Sequence, residues 1–314
     1  MGTYIIRRVI MAVIVIFVIT FISFMIMQIV PGDPARVMLG MEAPQEQIDA
    51  LRKELWLDRP VLIQYAHWIG NILRGDFGRS VMYQENVKDL WAARLPITLN
   101  LSLLAVVLSA IVGISAGTVS AITRGSVIDQ IISVLANTGI AIPIFWLGIL
   151  GIYLFGLHLG WLPIQGYTSP FEDFWLSLKK LVMPVICLAV PGLAMMTRQT
   201  RSSMLEVVRQ DYIRTAWAKG LSRRVVIIRH ALKNALTPVT TLLGFMVPMM
   251  VGGSVLTETV FNIPGMGRLL VRSVLNKDFI VVEAGVLLIA IVVSLANLIV
   301  DISYGWLDPR IRYE

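Results

Sequence analysis

Apolar residues in this sequence fall into long, unbroken runs separated by polar stretches. That is neither the alternation of a half-buried strand nor the narrow stripe of a surface helix. Residues 9–30, 98–122, 131–157 and 236–257 carry no charged side chain, and residues 281–300 carry only Glu283. A helix needs about 20 apolar residues to cross about 30 Å of hydrocarbon, and each of these runs is long enough. A sixth run, 181–196, is shorter and holds Pro184 and Pro191, so it is the weakest of the set. The pattern predicts an all-α integral membrane protein with six transmembrane helices. The first run has the look of a secretory signal, but it is long for one. It ends in Val30-Pro31-Gly32-Asp33-Pro34 without a small-residue cleavage site, so it is read as a retained helix.

Composition agrees with the pattern. The 314 residues are 56% hydrophobic and 15% charged, with a mean hydropathy of +0.75, whereas a soluble domain is about 25% charged. Too little polar surface remains to cover a water-exposed core. The net charge of +7 therefore marks loops on the cytosolic side rather than a nucleic-acid partner. Arg7 and Arg8 precede the first run, and Arg310 and Arg312 lie near the C-terminal end. The 197–235 loop carries nine basic residues against Glu206 and Asp211. With six spans all three regions face the cytosol, so both termini are expected there. The segment 31–97 holds eight basic and nine acidic residues. It is expected to form an ordered helical cap on the other face, with Leu51, Leu55, Leu57, Tyr65, Trp68 and Ile72 as its packing residues. The core then spans 98–304, and 305–314 form a cytosolic tail.

The runs lack the chemistry of an autonomous pump or enzyme. Ion-coupled carriers place carboxylates or histidines deep in the bundle, but His67, His158 and His230 lie outside the runs, and Glu258, Glu283 and Asp301 lie towards helix ends. There is no HExxH, GxSxG or Walker A pattern, and the single cysteine, Cys187, excludes an internal disulfide framework. No catalytic, cofactor-binding or metal-ligating residue is assigned. Gly113 and Gly117 form a GxxxG, extended by Ser109, which favours close helix packing. Within the basic loop, residues 202–219 place Leu205, Val208, Tyr212 and Ala216 at helical spacing, and Gly220 follows as a C-cap signal. Such a helix lies on the membrane surface or docks in the groove of a cytosolic partner.

The segment Asp211-Tyr212-Ile213-Arg214-Thr215-Ala216-Trp217-Ala218-Lys219-Gly220-Leu221, followed by His230-Ala231-Leu232-Lys233-Asn234-Ala235 and Pro238, resembles the signature loop of ABC importer permeases. More narrowly it is similar to the peptide/nickel branch, the DppB/OppB-like permeases. Pro31-Gly32-Asp33-Pro34-Ala35, Leu57-Asp58-Arg59-Pro60 and Gly75-Asp76-Phe77-Gly78-Arg79-Ser80 agree with it. So do the stretch from Glu258 through Phe261, Pro264, Gly265 and Gly267 to Arg268, and the close Asp308-Pro309-Arg310-Ile311-Arg312. Two positions depart from the pattern. Arg214-Thr215-Ala216 stands where the general loop motif reads Glu-Ala-Ala, and Trp56 stands where the branch usually has glycine.

The resemblance implies a type I ABC importer permease fold in a bacterial or archaeal cytoplasmic membrane. It implies a second homologous permease, two cytosolic ABC ATPase subunits that hydrolyse ATP, and an extracytoplasmic substrate-binding protein, with membrane lipid around the bundle. Asp211, Tyr212, Arg214, Ala216, Trp217, Lys219 and Gly220 would form the ATPase-coupling segment. Glu258, Phe261, Pro264, Gly265 and Gly267 would form an outer turn or gate. Cargo would be short peptides, with nickel chelates or glutathione as alternatives carried by the same machinery. From hydropathy alone an ion-coupled carrier or channel stays open.

Overall fold

The structure is a computed structural model that describes residues 2–29, 33–40, 43–54 and 56–307. The expectations resting on Pro31, Gly32, Leu55 and the close from Asp308 to Arg312 lie outside the described residues. Apart from one isolated bridge between Arg79 and Asn86, the regular elements described are all helical. Five helices are long and apolar enough to cross a membrane, and a sharply bent pair makes six if it is counted as one span. The chain divides into two compact units, residues 1–97 with 265–302 and residues 98–264.

The first unit opens with α1 (Gly2–Ile29). Only 11% of its most apolar window is buried, so most of its side chains are left for lipid. Three short helices follow, α2 (Pro34–Leu39), α3 (Gln45–Glu54) and α4 (Val61–Leu73). Asp33 caps α2 by accepting from Ala35 N at 3.1 Å, and Arg52 of α3 closes on the same carboxylate at 2.6 Å. The aromatic face of α4 lies against the middle of α1. Tyr65 packs edge-on against Phe17, Phe21 and Phe24, and its hydroxyl pairs with Thr20 Oγ1 at 2.9 Å. α5 (Val87–Ile122) begins here, and its first residues Val87, Leu90 and Trp91 form a core with α12 (Met266–Leu275) and α13 (Phe279–Leu307) through Met266, Leu269, Val281 and Ala284. The turn before α13 is fastened by Asp278. Its carboxylate accepts from Ser80 Oγ at 2.5 Å and from Met82 N at 3.1 Å.

The second unit contains the rest of α5 and the elements up to residue 264. The run 131–157, read from hydropathy as one span, is a bent pair of helices. α6 (Val127–Ala141) and α7 (Ile144–Gly151), which continues as a π-helical turn Ile152–His158, meet at 104°. Pro143 is the cause: it disfavours helical backbone at the preceding residue, and Ile142 is extended at φ −76°, ψ 126°.

The weakest run becomes the centre of the unit. α8 (Phe174–Val207) is one 34-residue helix running through Pro184 and Pro191, with 61% of its apolar window buried. Ser109 Oγ of α5 donates to Ala189 O of α8 at 2.9 Å, a side-chain bond between two membrane helices. The GxxxG seats α5 on α8, since a Cβ on Gly117 would lie 2.5 Å from Thr197 O and one on Gly113 2.5 Å from Met196 Cβ. α9 (Asp211–Ala218) follows, then α10 (Arg223–Val225), which runs through a π-helical turn Val226–Leu232 into α11 (Lys233–Val260). The single amphipathic helix expected over 202–219 is thus two elements, because α8 ends at Val207 and a new helix begins at Asp211. The segment 197–235 is largely helical.

Candidate functional site

α9 is a two-turn helix with a divided surface. Ile213 and Ala216 are buried against Met204 of α8, Val226, Ala231 and Ala235. Tyr212 and Trp217 flank this face at its two edges and stand 43% and 45% exposed. Ala216, expected as a partner contact, is therefore a packing residue beside Ile213. Asp211 in the first turn suits the positive end of the helix dipole. Its 3.4 Å pair with Arg214 is fully on the surface, where such pairs contribute little. Asn234 Nδ2 donates to the Tyr212 hydroxyl at 3.0 Å and to His230 O at 2.9 Å, which fixes the ring from below while leaving it accessible.

The helix ends where glycine permits. Lys219 N donates to Thr215 O and Gly220 N to Trp217 O, both at 3.0 Å, and Gly220 adopts φ +73°. Nothing lies within 4 Å of a Cβ placed there, so the requirement is one of backbone conformation, not space. Asp211, Tyr212, Arg214, Trp217 and Lys219 are all exposed and follow one another on a single short element.

At the far end of α11, Glu258 is fully buried. Its Oε1 accepts from Thr98 Oγ1 at 2.6 Å and from Ser254 Oγ at 3.1 Å. Phe261 is buried against Gly148 of α7, and its carbonyl accepts from Gly166 N at 2.9 Å. Next to it, burial pushes the phenol of Tyr167 up. Asn262 takes φ +53° while Ile263 N reaches back to Glu258 O at 2.8 Å. Pro264 closes this unit. In the other unit, Gly265 is the N-cap of α12 and Gly267 is buried in its first turn. Of the five residues singled out as an outer turn, Glu258 and Phe261 are thus joined by a packed, hydrogen-bonded helix end, and Gly265 and Gly267 begin the next helix.

One cluster escaped the sequence reading. Asp129 at the start of α6 is paired through both oxygens with Arg201 of α8, at 2.8 and 2.9 Å. It also accepts from Ser120 Oγ and from Gly125 N at 3.0 Å. In the sequence Arg201 is one of nine basic residues of the 197–235 segment, and Asp129 lies just before an apolar run. A lone acid beside such a run is the signal that would have marked it. Among the described residues no three metal-binding side chains converge.

Comparison with known proteins now decides the family. Residues 95–313 match the binding-protein-dependent transport system inner membrane component family, and residues 1–102 match its N-terminal region. The chain belongs to that family. It is an ABC transporter permease component, a multi-pass protein of the inner membrane whose family works with ATPases and binding proteins. It is 40% identical over 316 residues to the oligopeptide transport system permease protein AppB of Bacillus subtilis, and 38% identical over 336 residues to the di/tripeptide transport system permease protein DppB of Pseudomonas aeruginosa. In both comparisons the whole of each chain is covered. In three dimensions the permease resembles a chain of the inward-facing MetNI methionine ABC transporter, with a TM-score of 0.58 at 18% identity, covering 70% of this chain and 96% of that one. At that identity the likeness concerns the fold alone.

Proposed function

We propose that this permease forms, with a second homologous permease, the membrane pathway of an importer for short peptides. Two cytosolic ATPases drive it through α9, and an extracytoplasmic binding protein supplies the cargo. The observation that carries the peptide assignment is full-length identity of about 40% to permeases named for di-, tri- and oligopeptide transport. Deleting this chain from its host should abolish growth on a required amino acid supplied as a dipeptide and leave growth on the free amino acid intact. Loss of nickel or glutathione accumulation, with dipeptide use untouched, would transfer the assignment to those cargoes.

The docking role of α9 is supported by its geometry. A helix whose inner face is anchored by Ile213 and Ala216 transmits a push to α8 and α11, and exposed Tyr212 and Trp217 give a partner groove aromatic anchors. Such anchors commonly carry about 2 kcal/mol or more of binding. Trp217→Ala should therefore lower ATPase co-purification at least tenfold in stringent washes while permease abundance stays normal. Gly220→Val, forced into a left-handed backbone, should uncouple hydrolysis from uptake. Unchanged ATPase stoichiometry and fully coupled turnover in both variants would leave α9 as a membrane-surface helix.

A further inference from the structure

A cleft of about 790 Å³ opens among α6, α8 and α11 within the second unit. Small-molecule sites commonly enclose about 300–1,000 Å³. Its wall is chemically mixed. Arg198 and Arg201 enter it one turn apart on α8, and no carboxylate lines it. The charge of Arg201 is committed, because both oxygens of Asp129 hold its guanidinium from outside the cleft. Arg198 makes no ion pair among the described residues and is exposed to the cleft. The cleft therefore presents one uncompensated positive charge, on a side chain with five donors suited to a planar carboxylate. Met195, one turn before Arg198 on the same helix, together with Ile140 and Leu242, supplies an apolar wall. One helical turn is about 5 Å, the scale that separates an α-carboxylate from the tip of its own side chain. Asn137 offers both a donor and an acceptor to the intervening amide.

We propose that this cleft is a peptide subsite, binding the C-terminal residue of a short peptide with its carboxylate on Arg198 and its side chain against Met195, Ile140 and Leu242. The proposal rests on the reading of the chain as a peptide permease and adds the place where the cargo touches it. The subsite lies at the end of α8 that leads into α9, so an occupied cleft and a docked ATPase act on the same helix. An anionic lipid headgroup shares the carboxylate's charge but not its free apolar side chain.

The test uses the full chain in nanodiscs of neutral phosphatidylcholine, titrated calorimetrically with Ala-Leu and with its C-terminal amide. Ala-Leu should bind saturably, and the amide about tenfold more weakly or worse, because a charge-assisted pair is lost. Arg198→Gln should reduce Ala-Leu binding to the level of the amide, Arg198→Lys should restore part of it, and Leu242→Gln should weaken Ala-Leu more than Ala-Gly. Arg198 is exposed and unpaired, so the Gln variant should unfold at the wild-type temperature. Equal binding of peptide and amide, or undiminished Ala-Leu binding in Arg198→Gln, overturns the subsite. So does an Arg198-dependent response to phosphatidylglycerol in the nanodisc with none to Ala-Leu. Uptake of labelled dipeptide by cells, measured in parallel, separates the two levels: uptake without binding removes only the cleft, whereas absence of uptake removes the peptide reading itself.

Discussion

Four helix ends close in the same way, each with a residue in the left-handed region. Trp56, Gly75, Asn262 and Lys277 have φ of 60°, 84°, 53° and 57°. In each case the next residue's N–H reaches back across the last turn, as in Leu57 to Arg52 at 2.9 Å and Asp278 to Ser273 at 2.8 Å. The geometry gives the departure at Trp56 a physical meaning. Where glycine is usual in the branch, this chain holds an aromatic residue in a glycine conformation, at a strain of about 1–2 kcal/mol. The ring offsets that strain by stacking on His67, with ring centroids 4.2 Å apart and an interplanar angle of 11°, and the Arg59 guanidinium carbon lies 5.9 Å from the Trp56 ring centroid. Stacking of this kind contributes about 0.5–1.5 kcal/mol. Trp56→Ala keeps the strain and loses the stacking, so it should destabilise by about 1 kcal/mol or more, whereas Trp56→Gly loses both and should be nearly neutral. Thermal unfolding of the purified chain in detergent should rank wild type and Gly together, above Ala. An Ala variant as stable as the Gly variant would remove the strain argument.

At the scale of elements, α8 organises the second unit. It carries the seat of the α5 glycines, the two interior prolines and Arg201, and its far end sets the position of α9. The Asp129–Arg201 pair ties α6 to α8 with the carboxylate side chain 7% exposed and the guanidinium 31%. Removing one partner of a buried pair commonly costs about 3–5 kcal/mol, and the exposure of Arg201 places this case near the lower end. Asp129→Ala should accordingly lower the unfolding temperature clearly. The double variant Asp129→Ala/Arg201→Met, which removes both charges, should recover much of the loss. A double variant as damaged as the sum of its singles would mean that the two residues act independently.

For the whole molecule, membrane sidedness turns on the bent pair α6–α7, which either crosses the bilayer or returns to the side it left. A crossing leaves the segment around Glu172 on the side opposite Arg124, and a re-entrant loop puts the two on the same side. We predict a crossing, with both termini cytosolic, because only then do Arg7–Arg8 and the basic segment share one face. Ser80 and Ser203 are 1% and 6% exposed and unsuited to labelling. In a Cys187→Ala background, Glu85→Cys and Glu172→Cys should react with an impermeant maleimide from outside intact cells, and Ser222→Cys only after permeabilisation. Labelling of Glu172→Cys only after permeabilisation would make the pair re-entrant.

The sequence by itself determined the helical class, the regions able to enter a membrane and the short segment that carries the family signature. Each of these depends on local composition: a run of apolar residues prefers lipid whatever it packs against, and a glycine after an amphipathic turn ends a helix wherever that helix lies. Tertiary structure decided what depends on neighbours distant in the chain. Hydropathy sees Ala216 and Trp217 as adjacent members of one amphipathic helix, and only packing on Met204, Val226 and Ala235 turns the first inward and leaves the second exposed. The same logic hides Asp129, a plain surface acid until Arg201 meets it across a sequence separation of 72 residues. It also hides the centrality of α8, whose prolines read as breaks although the helix runs through both, with 61% of its apolar window buried among its neighbours. A one-dimensional pattern records the solvent each residue prefers, whereas the partner that satisfies a buried charge is chosen by the fold.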